Sequence, residues 1–443
     1  MSRVGNWIFM IHSCVTLFWF SDTLASSFDT NGGWSPFSPR AEISPNFQFL
    51  KNGGSNHKGC WVIEQGEVKS QIGAWSRQYP VIGDKYYQFG AFGRGKGLSN
   101  PRANCYVEIF FQDDKGKLVI DERAGNYSRP FYPWAKIQEN GRMKFNGVVR
   151  VPKDATLATV RLFLRWESKA KVEWSNIEFL ECPAPKPRKV RLAATNFRPT
   201  GGKSAIENCR MFVPFIKKAA KKKADLLVLG ECITTMRNGL NAETGAEEIP
   251  GPCVNYLGKL AKANDLYLVT SLFEREKETI YNTAVILGPD GKLVGKYRKL
   301  CLARDEYREG ISPGNQFPVF NTRFGKVGLM ICFDVHMPEV ARGIAANGAE
   351  IIAMPIMGGH PILAKARAIE NQVYLVTSTY SLNDDWMQTG IWDRSGDLHA
   401  RATKPNELVI HEIDLAQPYF WRGNIGNFQN RLRHERPSFQ LPK

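Results

Sequence analysis

Metal-binding patterns are scarce in this chain. Its nine cysteines include no CxxC pair and its seven histidines form no rich tract, so no metal site is expected. No Walker loop and no GxGxxG turn is present, which removes the usual phosphate cradles. RNP, zinc-finger and homeodomain patterns are missing too, so no nucleic-acid partner is expected. Acids are outnumbered, 43 Asp and Glu against 59 Lys and Arg, which leaves a formal +16. A mean hydropathy of −0.32 excludes a multi-span membrane protein. The apolar run from Trp7 to Phe20 falls short of the roughly 20 residues that a stable span needs.

The chain has 443 residues, 43% of them hydrophobic and 12% aromatic, enough for two separate cores. Its positive charge is spread along the chain, with one local cluster at Lys217, Lys218, Lys221, Lys222 and Lys223. These follow Ile206, Phe212 and Ile216 at helical spacing, the pattern of a solvated helix face. At the N-terminus, Arg3, the apolar run and the small residues Thr23 and Ala25 read as a signal peptide over residues 1–25. Export to the periplasm or the extracellular space is the expectation, with an uncleaved anchor as the alternative. Export permits disulfides, but Cys14 would leave with the leader and eight cysteines would remain. If one is a catalytic thiol, an odd number is left, so no closed framework is implied. Cys60–Cys105 and Cys105–Cys182 stay open as pairings.

A proline-rich stretch, residues 183–189, divides the rest. Before it, residues 28–182 are short alternating segments such as Tyr86–Phe92, Cys105–Phe111 and Thr159–Leu164, with turns at Asp113-Asp114-Lys115-Gly116 and Val151-Pro152-Lys153-Asp154. An all-β sandwich follows. The order of its elements resembles the jelly-roll domains related to carbohydrate-binding modules, with residues 170–180 as the closing strand. That resemblance makes a glycan or an anionic surface a candidate partner. Trp34, Trp61, Trp75, Trp134 and Trp166 could stack on sugar rings, or serve as core. Such modules often carry Asp near the position of Ser175 or Asn176, and its absence here speaks against bound calcium.

Residues 190–443 have another texture. Strand-like runs at 190–197, 225–230, 266–272, 328–331 and 350–355 alternate with helical patterns at 203–223, 252–264, 338–347 and 361–371. Hairpins are expected at Pro289-Asp290-Gly291-Lys292 and near Thr322-Arg323-Phe324-Gly325. A mixed sheet with helices outside is the expected class.

Two of these strands and the segment after the first hairpin end on reactive side chains: Glu231 after Leu229-Gly230, Cys332 after Leu329-Met330-Ile331, and Lys299 after Tyr297-Arg298. Singly, each has an ordinary reading as a cap, a solvated lysine or a buried inert thiol. Together with Phe333-Asp334 and Pro338-Glu339, they resemble the three motifs of the nitrilase superfamily of carbon–nitrogen hydrolases. Ala368-Ile369-Glu370-Asn371 and Arg436-Pro437-Ser438-Phe439 extend the likeness toward the C-terminus.

The resemblance implies an αββα fold and a Glu231–Lys299–Cys332 triad that needs no metal or cofactor. In it, Glu231 takes the proton of Cys332, while Lys299 favours the charged forms. Lys299 and the backbone N–H of Phe333 would receive the oxyanion. A second glutamate is expected beside the site, with Glu306 favoured over Glu309. Phe333-Asp334 resembles the amidase and N-carbamoyl-amine hydrolase branches, whereas true nitrilases carry Trp after the nucleophile. The expected substrate is thus a small linear amide or N-carbamoyl amine. A nitrile, or a catalytically silent glycan-binding protein, is the alternative. A homo-oligomer is implied by the resemblance alone.

Overall fold

A computed structural model describes residues 32–54, 57–123, 129–138, 140–421 and 426–435. The expected leader, Cys14 and Arg436-Pro437-Ser438-Phe439 lie outside the described residues.

Before residue 183 the described residues form ten strands: β1 Ser35–Phe37, β2 Asn46–Leu50, β3 Cys60–Glu64, β4 Ile72–Pro80, β5 Tyr86–Lys96, β6 Cys105–Gln112, β7 Trp134–Ile137, β8 Arg142–Arg150, β9 Leu157–Arg165 and β10 Lys171–Cys182. They form two antiparallel sheets, ordered β1-β4-β9-β6 and β2-β3-β10-β5-β8-β7. Alternation along each strand sends one set of side chains inward. Trp75, Val107, Ile109 and Leu162 of the first sheet meet Phe89, Phe145 and Trp174 of the second in one core. Trp34 and Trp75 belong to that core and are closed to any sugar, while Trp61 and Trp134 are half-buried. Only Trp166 of the five is exposed, and the Arg165 guanidinium lies 3.7 Å from its ring centre. Cys60, Cys105 and Cys182 are free thiols, so neither open pairing is made.

Residues 183–188 carry no regular structure. Lys189, expected in the linker, already belongs to the next strand. Twelve strands follow among the described residues: β11 Lys189–Asn196, β12 Leu226–Val228, β13 Tyr267–Glu276, β14 Thr279–Leu287, β15 Leu293–Arg298, β16 Val319–Asn321, β17 Lys326–Leu329, β18 Ile351–Pro355, β19 Tyr374–Ser378, β20 Gly390–Trp392, β21 Leu398–Arg401 and β22 Glu407–Asp414. They build two six-stranded sheets, β15-β14-β13-β12-β11-β22 and β16-β17-β18-β19-β20-β21. Three neighbouring strands at the heart of each sheet run parallel. Leu192, Val228 and Val269 of one sheet pack on Leu329, Ile351 and Val376 of the other. The alternate residues Ala193, Leu227 and Leu268 face the helices Ala205–Met211, Val213–Lys221 and Pro252–Ala263. Helices Pro338–Ala346 and Pro361–Asn371 pack against the second sheet, completing four layers.

The helix expected over 203–223 is two helices meeting at Phe212. Pro214 opens the second, and a proline cannot sit inside a continuous helix because it lacks an N–H and crowds the carbonyl four residues back. The expected hairpin at 289–292 joins β14 to β15, with Gly291 at φ +84° in the left-handed region that glycine reaches without cost. Helix Phe428–Glu435 returns to the β-sandwich: Asn430 exchanges two hydrogen bonds with the Tyr132 backbone (2.8 and 2.9 Å), and His434 lies 4.0 Å from the Tyr106 ring. Among the described residues no helix is long and apolar enough to cross a membrane, and no group of three or more His, Cys, Asp or Glu could hold a metal ion.

Candidate active site

In open sheets of parallel strands, ligand chemistry gathers where the strands end. Here β12 leads to Glu231, β17 to Cys332, β18 to Met357-Gly358 and β19 to Tyr380, while the antiparallel β15 delivers Lys299 to the same place. Glu231 and Lys299 are buried at 3% and 2% exposure, and Cys332 is half-buried.

The Glu231 carboxylate receives the Asn282 side-chain amide (2.9 Å) and Lys299 Nζ (3.2 Å) on Oε1, and the backbone N–H of Met357 (2.9 Å) on Oε2. Lys299 Nζ also donates to Glu306 Oε2 at 2.8 Å. Glu306 sits in the first turn of helix Arg304–Arg308 and accepts the N–H of Ala303 at 2.7 Å, which caps that helix. Asn282 reaches Glu306 Oε1 at 2.8 Å, so one amide holds both carboxylates. Glu309 is exposed and lies outside this group.

Cys332 opens the one-turn 3₁₀ helix Cys332–His336 with φ at +43°. A non-glycine residue rarely adopts that conformation, and here the sharp turn presents the thiol. Its Sγ lies 3.6 Å from the Gly358 carbonyl oxygen. Phe333 follows in the first turn, where a helix leaves backbone N–H groups without intrahelical partners. Asp334 fixes the turn. Its buried carboxylate accepts the Tyr297 hydroxyl (2.7 Å), the Ile331 N–H (2.9 Å) and the Cys301 N–H (2.9 Å). Nucleophile turn and lysine strand are thus tied through one side chain.

Lys299 does favour the thiolate, but burial and the Glu231 charge outweigh it and push the Cys332 thiol up to about 12. The resting nucleophile is therefore a neutral thiol hydrogen-bonded to Glu231. Burial works against the Lys299 ammonium, yet Glu231 and Glu306 outweigh it and hold the group charged.

Asn282, the Met357-Gly358 turn, Tyr380 and Trp386 have no sequence-level assignment. Tyr380 donates its hydroxyl to the Glu231 carbonyl, and Gly230 carries no side chain because a Cβ there would stand 2.5 Å from the Tyr380 ring. Trp386 bonds the Met357 carbonyl at 3.0 Å and covers Gly358. The available signal for Asn282 was a polar Asn-Thr pair inside the apolar run of β14.

Gly358→Ala would place a Cβ 1.8 Å from the Trp386 indole. Either ring or turn must shift, and with the turn moves the carbonyl beside the thiol. We expect kcat/KM to fall roughly 100-fold, the scale of an ångström-sized misplacement. Trp386→Ala in the same chain should restore most of it in steady-state assays.

Glu274, on β13, braces the strand that carries Lys299. It accepts Arg298 twice (2.7 and 3.0 Å), Lys296 and Thr283 (2.7 Å). Burial opposes its ionisation, but these donors hold its folded pKa at about 2, below the ordinary 4.5. The stability it contributes is complete above about pH 4.5 and is lost as pH falls through about 2. Glu274→Gln should flatten the acid limb of stability in that window, read as urea midpoint against pH.

Residues 191–423 match the carbon–nitrogen hydrolase family. The chain belongs to that family. As a carbon–nitrogen hydrolase it acts on bonds other than peptide bonds. It is 32% identical to the omega-amidase NIT2 of Xenopus tropicalis over 248 residues, covering 51% of this chain and 89% of that protein. A nitrilase of Pyrococcus abyssi is 42% identical over 176 residues, 37% of this chain and 64% of that one. Among solved structures, Saccharomyces cerevisiae Nit3, a member of branch 10 of the nitrilase superfamily, aligns with a TM-score of 0.46 and 27% identity. That alignment covers 51% of this chain and 90% of Nit3.

Proposed function

We propose that the protein is an exported thiol amidase acting on a small linear amide or N-carbamoyl amine through an acyl intermediate on Cys332. The observation that carries this is the Glu231 carboxylate. It has about four lone-pair sites, three are taken by Asn282, Lys299 and Met357, and the remaining one serves the thiol proton. As Cys332 Sγ attacks the carbonyl carbon, its proton passes to Glu231 and the oxygen becomes anionic. Lys299 Nζ and the Phe333 N–H stabilise that oxygen, roughly 3–4 kcal/mol per good donor. Collapse breaks the C–N bond, and the amine leaves with the proton from Glu231. Water, deprotonated by Glu231, then cleaves the thioester to acid and free thiol. Glu306 keeps Lys299 aimed while charge moves.

The omega-amidase relatives favour the amide arm of this reading. The Pyrococcus abyssi nitrilase keeps a nitrile as the second reading, against which Phe333 after the nucleophile stands. The β-sandwich is proposed as a jelly roll, on the neighbour orders β3-β10-β5-β8 and β4-β9-β6, which alternate early and late strands. Its role in the proposal is to hold the enzyme on a glycan or anionic surface after loss of residues 1–25. A homo-oligomer completes the reading. Turnover of a panel of linear amides, N-carbamoyl amino acids and nitriles by the full chain tests it. Ammonia or amine release from the first two classes is expected, and turnover of nitriles alone would overturn the assignment.

A further inference from the structure

Directly opposed cross-strand pairs of like charge are unfavourable to a sheet, yet the six-stranded sheet of the β-sandwich carries three. Arg94 on β5 faces Arg142 on β8, Lys136 on β7 faces Lys144 on β8, and Lys96 on β5 faces Lys171 on β10. All six stand on the outer face, since the intervening Met143, Phe145 and Val172 point into the core. Five of the six are exposed, Lys171 being half-exposed, and only Lys171 has an acid partner among the described residues, Glu173 at 3.3 Å. Lys144 instead hangs 5.9 Å from the ring centre of Phe92. Two of these cations, Arg94 and Arg142, line an open groove of about 390 Å³ together with Phe92, Asn140, Glu173 and Ser175, and Lys144 reaches toward it over Phe92.

We propose that this groove binds a linear acidic polysaccharide. Its carboxylates or sulfates would be received by Arg94, Arg142 and Lys144, its hydroxyls by Asn140, Ser175 and Glu173, and one sugar ring by Phe92. The like-charge pairs, costly to the empty sheet, become complementary once anions lie between them. A carboxylate on the groove wall disfavours the dense phosphates of nucleic acid, and a single ring is fewer stacking platforms than a single strand uses. This names the partner of the targeting role proposed above and does not depend on the hydrolase chemistry.

Affinity electrophoresis of the full chain in gels holding polygalacturonate, dextran sulfate or neutral dextran is the test. It compares wild type with Arg94→Ser/Arg142→Ser/Lys144→Ser and with Lys217→Ser/Lys218→Ser/Lys221→Ser, which removes equal charge from an exposed helix face. Retardation by an acidic polymer and not by dextran is expected. The groove variant should lose at least about tenfold in affinity, as three lost charge-assisted contacts imply, while the helix variant keeps its own. Relief of repulsion should leave the groove variant's melting temperature unchanged or raised, with amide turnover intact. Equal loss in both variants, no retardation of wild type, or tighter binding to a single-stranded oligonucleotide or phosphatidylserine vesicles would overturn the proposal. Retardation as expected with no amide turnover would sink the hydrolytic reading alone.

Discussion

Cys332→Ala is expected to lower kcat/KM on the best amide by roughly 10⁴-fold or more, the scale seen when a covalent nucleophile is removed. The protein should stay folded. Sγ meets the Gly358 carbonyl at 3.6 Å and the Glu231 carboxylate, so alanine leaves a small cavity and takes one donor from Glu231, whose other three remain. Alanine retains a Cβ, so the φ of +43° is no less tolerated than before. Loss of turnover with an unchanged melting temperature and unchanged substrate KM or Kd would place the defect in the chemical step. Cys332→Ser should be nearly as inactive, because Glu231 would have to deprotonate an alcohol rather than a thiol.

Lys299→Met should fail in two ways at once. The ammonium lies between Glu231 at 3.2 Å and Glu306 at 2.8 Å, with lysine and Glu231 almost fully buried. Removing the cation leaves two carboxylates bridged only by Asn282. Breaking one partner of a buried ionic group costs about 3–5 kcal/mol, or roughly 6–20 °C in melting temperature for a domain of this size. Activity should drop below detection, since the oxyanion loses its charged donor. Glu306→Gln in the same chain removes one of the stranded charges. The double variant should recover part of the stability and none of the activity, a non-additivity that a calorimetric double-mutant cycle reads directly.

The triad was legible because its members follow signals that local physics provides: an apolar run, a chain reversal, then a reactive side chain. Leu226-Leu227-Val228-Leu229-Gly230 can only be a buried strand, so Glu231 had to emerge where that strand ends. The Asp290-Gly291 turn made β15 the return strand of a hairpin and placed Lys299 at its far end. What stayed hidden depends on register and on contacts between distant segments. Asn282 meets Glu231 across 51 positions of sequence, and Met357 meets it across 126. No local pattern reports which strand lies beside which. The opposed arginines and lysines of the sandwich were invisible for the same reason, since a sequence shows net charge and a sheet shows who faces whom. The broken helix at Phe212 was a different failure: apolar periodicity runs through Pro214 undisturbed, while the backbone cannot.

The central claim is that the carbon–nitrogen bond is cleaved through a thioester on Cys332 with Glu231 as its proton acceptor. Intact-protein and peptide mass spectrometry of enzyme quenched during turnover of a slowly deacylating amide tests it most directly. Wild type should gain the mass of the acyl group on the peptide that contains Cys332. Glu231→Gln should form that adduct far more slowly, and Cys332→Ala should form none. Full turnover with no adduct, or an adduct on any other cysteine, would contradict it.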